Sequence, residues 1–222
     1  MKRPILKFRT LLVATALSMA GLGAVHAQTV LYTTLPGSET GGPCFGNGNF
    51  AAVQLATPAG APYQIGSAEV RMHHANDASA AFTLTVHADN AGEPGAAIAP
   101  LGTMAGNGLS TYALYTLTPA SPVNLAASSS YWVVATSSSA DACAFGWSRP
   151  GSTPSGALTY VNERQFYGGA WNERLGQHFV LELRGVSAAP AAAVPVPTLS
   201  GWALLLLAAS LGVFSLRRLR RQ

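Results

Sequence analysis

Few residues between Gln28 and Leu216 have the type and spacing to do chemistry. That stretch contains no lysine, which excludes lysine nucleophiles and Ser-Lys dyads. Glu163 and Glu173 lie ten residues apart around RQFYGGAWN, and paired carboxylates beside aromatic rings are what glycoside cleavage requires. Each also stands beside an arginine, Arg164 and Arg174, so the plainer reading is a pair of solvated loop charges. Ser148 in GWSRPG misses the spacing of a nucleophile elbow, because the second glycine comes one residue late. The sequence holds no Cys-x-x-Cys, His-Glu-x-x-His, P-loop or Gly-x-Gly-x-x-Gly. No catalytic residue is assigned, and the chain is expected not to be an enzyme.

The metal-ligating types are His73, His74, Asp77, His87 and Asp89. Adjacent strand residues point to opposite faces, so at most one of His73 and His74 joins a site with His87. A transition metal needs three or four convergent ligands, and no such site is expected. Calcium held by Asp77, Asp89 and Glu93 with loop carbonyls is the alternative, against plain solvent-facing polar residues beside turns. Tyr160, Phe166, Tyr167 and Trp171 crowd a glycine-containing stretch near Asn162, Asn172, Glu163 and Glu173. Exposed rings beside amides and carboxylates suit a sugar, which stacks an apolar face and hydrogen-bonds around its rim. Tyr160, Tyr167 and Trp171 are therefore the candidate glycan-binding residues; the alternative is that the rings only cover one end of the fold.

The elements that must position these side chains read as strands. In AAFTLTVHA, Phe82, Leu84 and Val86 alternate with Thr83, Thr85 and His87. FVLELRG turns Phe179, Leu181 and Leu183 inward and Glu182 and Arg184 outward, and SAEVRMHH sets Val70 and Met72 against Glu69, Arg71 and His73. TYALYTL, SYWVVATS and CAFGWS are further short aromatic and β-branched runs, and Phe82, Trp132, Phe145 and Trp147 read as core. Clusters such as PGSETGGP, ADNAGEPG and RPGSTPSG punctuate them, and no capped helical period runs for three turns. Hydrophobic residues make up 49% of the 222 and charged ones 10%, which supplies a core and excludes a disordered polyelectrolyte. The expected fold is all-β, an antiparallel jelly-roll-like β-sandwich of about eight to ten strands, with a closed barrel as the alternative.

The net charge of +4 belongs to the two ends. Lys2, Arg3, Lys7 and Arg9 open the chain and Arg217, Arg218, Arg220 and Arg221 close it; between them five arginines face all nine acidic residues, so nucleic acid is not an expected partner. MKRPILKFR followed by TLLVATALSMAGLGAV reads as a signal peptide over residues 1–27, with small residues at Val25 and Ala27 directing cleavage before Gln28. The Sec translocon and signal peptidase are thus expected partners. An exported chain with only Cys44 and Cys143 has one intramolecular pairing open to it; two free thiols or a bond to another chain are the alternatives. Residues 187–195 are a linker rich in Ala and Pro, so the folded unit spans 28–186. Leu199 to Leu216 is 18 residues without a charge, about 27 Å of helix, just enough for a bilayer core. The arginines behind it belong in the cytoplasm, and Trp202 at the outer interface.

A linker, a short motif, one helix and an arginine cluster, in that order, resemble the exosortase-type, PEP-CTERM-like sorting signals of Gram-negative bacteria. VPTLSGW, residues Val196, Pro197, Thr198, Leu199, Ser200, Gly201 and Trp202, resembles the IPTL-CTERM type. It has Val at the first position and one residue fewer before the Trp. The resemblance implies a sorting signal over 196–222, an exosortase-like membrane transpeptidase as partner, transient residence in the inner membrane, and release to the cell surface or matrix. LTVHADNAGEPGAAIAPLG, LTPASPVNLAASSSYWVVATSS, GGAW and FVLELRG together resemble the exported β-sandwich domains grouped as choice-of-anchor proteins. That resemblance implies a surface protein and nothing finer. With no catalytic constellation in the residues, the expectation is a non-enzymatic surface or matrix protein without a cofactor, with a lectin-like module for extracellular polysaccharide as the alternative.

Overall fold

The computed structural model describes residues 27–37, 41–74 (for His74 the backbone only), 79–105, 111–149, 151–174, 176 and 178–188. Residues 1–26, Asp77, nearly all of the linker, the VPTLSGW motif and the expected membrane helix lie outside them. The strands run in the order β1 (Thr29–Thr33), β2 (Cys44–Phe45), β3 (Phe50–Ala56), β4 (Tyr63–His74), β5 (Ala81–Asn90), β6 (Glu93–Ala105), β7 (Ala113–Leu117), β8 (Val123–Leu125), β9 (Ser130–Ser137), β10 (Phe145–Trp147), β11 (Thr159–Tyr167), β12 (Ala170–Glu173) and β13 (Leu181–Ser187). No helix occurs among the described residues, and so none there is long and apolar enough to cross a membrane.

Two antiparallel sheets form. The first has the order β1-β13-β4-β10-β2, and β4 is its spine. β13 and β10 pair along one edge of β4, and β7 and β8 along the other. The second has the order β12-β11-β3-β9-β5-β6. Most connections pass from one sheet to the other, and no ladder joins the two sheets among the described residues, as in a sandwich rather than a closed barrel. The thirteen strands among the described residues exceed the expected eight to ten. The surplus comes from β2, β8 and β12, whose two to four residues are too short to carry a period, whereas the equally short β10 is the expected CAFGWS segment.

Alternation builds the core. Phe82, Leu84 and Val86, Val70 and Met72, and Phe179, Leu181 and Leu183 are all buried between the sheets with Trp147 and Phe145. Glu182 departs from its expected exposure. It alternates with the core residues, yet it is buried, with Arg184 Nε donating to its Oε1 at 2.5 Å. Thr34 ties the end of β1 to β13: its buried hydroxyl donates to Phe179 O at 2.7 Å and accepts from Leu181 N at 2.9 Å. The glycine-containing stretch around Phe166 to Trp171, whose flanking carboxylates read as loop charges, is a hairpin. Gly168 and Gly169 turn β11 into β12 with φ of 62° and 82°, the left-handed pair a two-residue hairpin loop requires.

Candidate functional site

The face of the second sheet that turns away from the core carries a set of aromatic and polar side chains. Ala51, Val53 and Leu55 of β3 enter the core, so Phe50, Ala52 and Gln54 face outward. Register adds Trp132 and Val134 from β9, His87 from β5, Asn162, Arg164 and Phe166 from β11, and Trp171 and Glu173 from β12. Phe50 stacks on Phe166 with centroids 5.5 Å apart, and Trp171 meets Phe166 edge-on at 5.3 Å. Beside these rings Arg164 donates to Glu173 at 3.3 Å and to Glu93 at 3.0 Å, and Asn162 donates to Glu173 at 3.2 Å. The two carboxylates are half exposed, so each pair is worth less than about 1 kcal/mol and acts mainly to fix Arg164.

The Glu93 contact fastens the turn between β5 and β6 to β11, three strands away in the sheet. That turn therefore curls over the face and covers Trp132, which is fully buried although it points away from the core. Trp132 Nε1 and Gln54 Nε2 both donate to Asp89 Oδ1, at 2.8 and 2.7 Å, and Gly92 N donates to Oδ2 at 3.2 Å. His87 Nδ1 donates to Gly95 O at 2.8 Å, the carbonyl being only an acceptor.

A second polar group lies on the core side of β11. Glu163 is fully buried, and its Oε1 accepts from Phe179 N at 2.5 Å. Burial above all, then the Glu163 carboxylate and Tyr160, hold the Tyr32 phenol far above its ordinary value. Burial and then Glu163 push Tyr160 up to about 12. The ring of His178 meets Tyr160 edge-on at 4.7 Å, and burial lowers its pKa. Tyr160 and His178 line a groove of about 440 Å³ with Pro154, Ser155 and Thr159. A pH dependence follows. Above the ordinary phenol value of about 10 the unfolded chain has lost protons that folded Tyr32 and Tyr160 keep, so stability is lost as pH rises from there through about 12. Below about pH 6.5 the unfolded chain takes up a proton that folded His178 declines, so stability also falls toward acid. Denaturant midpoints measured against pH should fall on both sides, with phenolate absorbance rising together with unfolding at the alkaline end.

The expected site residues do not converge. Tyr160 packs against the core, Trp171 lies on the outward face, and Tyr167 sits under the Arg174 guanidinium at 5.4 Å, so the three rings form no common platform. Glu163 and Glu173 lie on opposite faces of the second sheet, and Glu163 is a buried strand residue, not a solvated loop charge. His73, packed on Tyr112 in the first sheet, and His87 in the second point away from the core on opposite sides of the sandwich. No cluster of three or more His, Cys, Asp or Glu occurs among the described residues. Asp89 and Glu93, two of the expected calcium ligands, are engaged by the donors given above. Ser148 is buried. Cys44 and Cys143 form a disulfide, their Cα atoms 4.6 Å apart. Sequence reasoning missed Phe50, Arg164, Tyr32 and the Asp89 network. The isolated Gln54 within FAAVQLA was the available signal for the last of these.

Comparison with known proteins bears on the other end of the chain. Residues 194–221 match the IPTL-CTERM motif. The chain thus carries a C-terminal sorting signal of exported, membrane-associated proteins, and the IPTL-CTERM segment implies processing by an exosortase-like enzyme. No curated protein matches the chain.

Proposed function

We propose that this is a non-enzymatic surface or extracellular-matrix protein of a Gram-negative bacterium, a choice-of-anchor-type β-sandwich delivered by its IPTL-CTERM segment. The observation that carries the reading is the motif at 194–221, downstream of a disulfide-tied all-β domain. Residues 1–27 are removed by signal peptidase after Sec export, leaving Gln28 first. The helix over 199–216 then holds the chain in the inner membrane, and the extended linker over 187–195 keeps VPTLSGW accessible. An exosortase-like transpeptidase cuts near Pro197 to Ser200 and passes the domain outward, while Leu204 to Leu207 serve as membrane filling. In this reading the domain works without a cofactor. Replacing Pro197, Thr198 and Leu199 by Ala should leave unprocessed protein in the membrane fraction; normal processing of that variant contradicts the proposal.

The outward face of the second sheet favours one further role, binding of extracellular polysaccharide. The rings of Phe50, Phe166 and Trp171 border Arg164, Asn162 and Glu173, an apolar platform with a hydrogen-bonding rim. A glycan array run with and without chelator tests it. Binding that Trp171→Ala reduces at least tenfold, the loss of about 1.4 kcal/mol, supports the role; a blank array removes it.

A further inference from the structure

We propose that Gln28 is a modification site: as the first residue of the exported chain it closes to a pyroglutamyl lactam, seated in a cradle on β4. The inference rests on cleavage before Gln28. β1 begins one residue later, and Thr29 pairs with Gly185 of β13, so the mature chain would enter the sheet with no leading tail. The Gln28 side chain reaches across to β4, where Ser67 Oγ donates to its Oε1 at 3.1 Å. Beneath it lies Gly66; a Cβ there would overlap Gln28 Nε2 and stand 2.9 Å from its Cδ, so the missing side chain is what makes room for the carboxamide. Gln64, Pro122, Gly185 and Val186 complete a pocket of about 210 Å³. None of these lining residues is charged.

The step is an internal aminolysis and needs no co-reactant. The α-amine of Gln28 attacks Cδ, the Cδ–Nε2 bond breaks, and Nε2 departs as ammonia with the proton the amine gives up. Oε1 stays as the lactam carbonyl. It is also the oxygen on which negative charge develops during attack, so the Ser67 hydroxyl both places the carboxamide and stabilises the addition. The product keeps that carbonyl oxygen and loses the nitrogen, which leaves as ammonia. A capped terminus also gives aminopeptidases no free amine, which suits a domain held outside the cell.

The test is mass spectrometry of the N-terminal peptide from natively exported protein, with free amines blocked at harvest so that cyclisation during work-up is not counted. The expected peptide begins at residue 28, is lighter than the glutamine form by one ammonia, carries no amine label, and is opened by pyroglutamyl aminopeptidase. In a pulse–chase, Ser67→Ala should retain the labelled amine about tenfold longer, the effect of one ordinary hydrogen bond. Ser67 is only half-buried, so folding of this variant is checked by an unchanged thermal melt. A peptide that begins at Gln28 with a labelled amine overturns the lactam while leaving the cleavage site intact. A peptide that begins elsewhere overturns the cleavage site and the lactam with it. Equal rates in wild type and Ser67→Ala overturn the role of the cradle.

Discussion

Replacing Cys44 and Cys143 together by serine should destabilise the domain by about 2–5 kcal/mol. The bond joins residues 99 apart in sequence, and a loop of that length constrains the unfolded chain by about 4.7 kcal/mol in the chain-entropy model. Its place in the fold points the same way. Cys44 opens β2, a two-residue strand held to β10 by only two register pairs, and Cys143 lies just ahead of β10. Gln165 of the other sheet donates to Cys44 O at 2.9 Å, so the bridge also steadies a contact between the sheets. Without the bond, β2 has too little ladder to stay on the edge. For a domain of this size the melt should fall by on the order of 10 °C. Thermal unfolding of both forms checks this, and an unchanged melt contradicts it.

Trp147→Ala should cost about 3–5 kcal/mol. Trp147 is fully buried in the three-residue β10, stacks on Phe179 at 4.9 Å, and donates from Nε1 to Val180 O at 3.0 Å. Truncation leaves a cavity in the core between the two sheets and removes one of the two donors to the Val180 carbonyl, the other being Arg71 N. Trp147→Phe separates the two effects. It keeps most of the stacking and leaves Val180 O with Arg71 N alone, at 3.3 Å, so the loss is that of one ordinary hydrogen bond, about 0.5–1.5 kcal/mol. Denaturant unfolding should rank wild type above Trp147→Phe above Trp147→Ala. If Phe and Ala cost the same, the ring contributes little and the packing described for this centre is wrong.

The strands whose apolar residues alternate regularly were legible in sequence. Phe82, Leu84 and Val86 point inward as their spacing requires, and the pairing of two cysteines in an exported chain needed no geometry. β11 defeated the same reasoning because its pattern is inverted. Val161 is the extra residue of a bulge, which sends Tyr160 inward and Asn162 outward; Glu163 and Gln165 then fall on the buried side and Phe166 on the outer one. A segment with polar residues inside and a ring outside reads as loop by any rule that equates apolar with buried. Trp132 misled in another way. It is buried, as its type suggests, but under the curled β5–β6 turn on the far face, because a contact from Glu93 to Arg164 across three strands has no local signature.

The central claim is that the IPTL-CTERM segment is a processing signal and not a permanent anchor. Its most direct test is the intact mass of the protein recovered from the cell surface. The expected species begins at residue 28 and lacks Arg217 to Gln222. A surface species that still contains Arg217 to Gln222 contradicts the claim and leaves a simple tail anchor in its place.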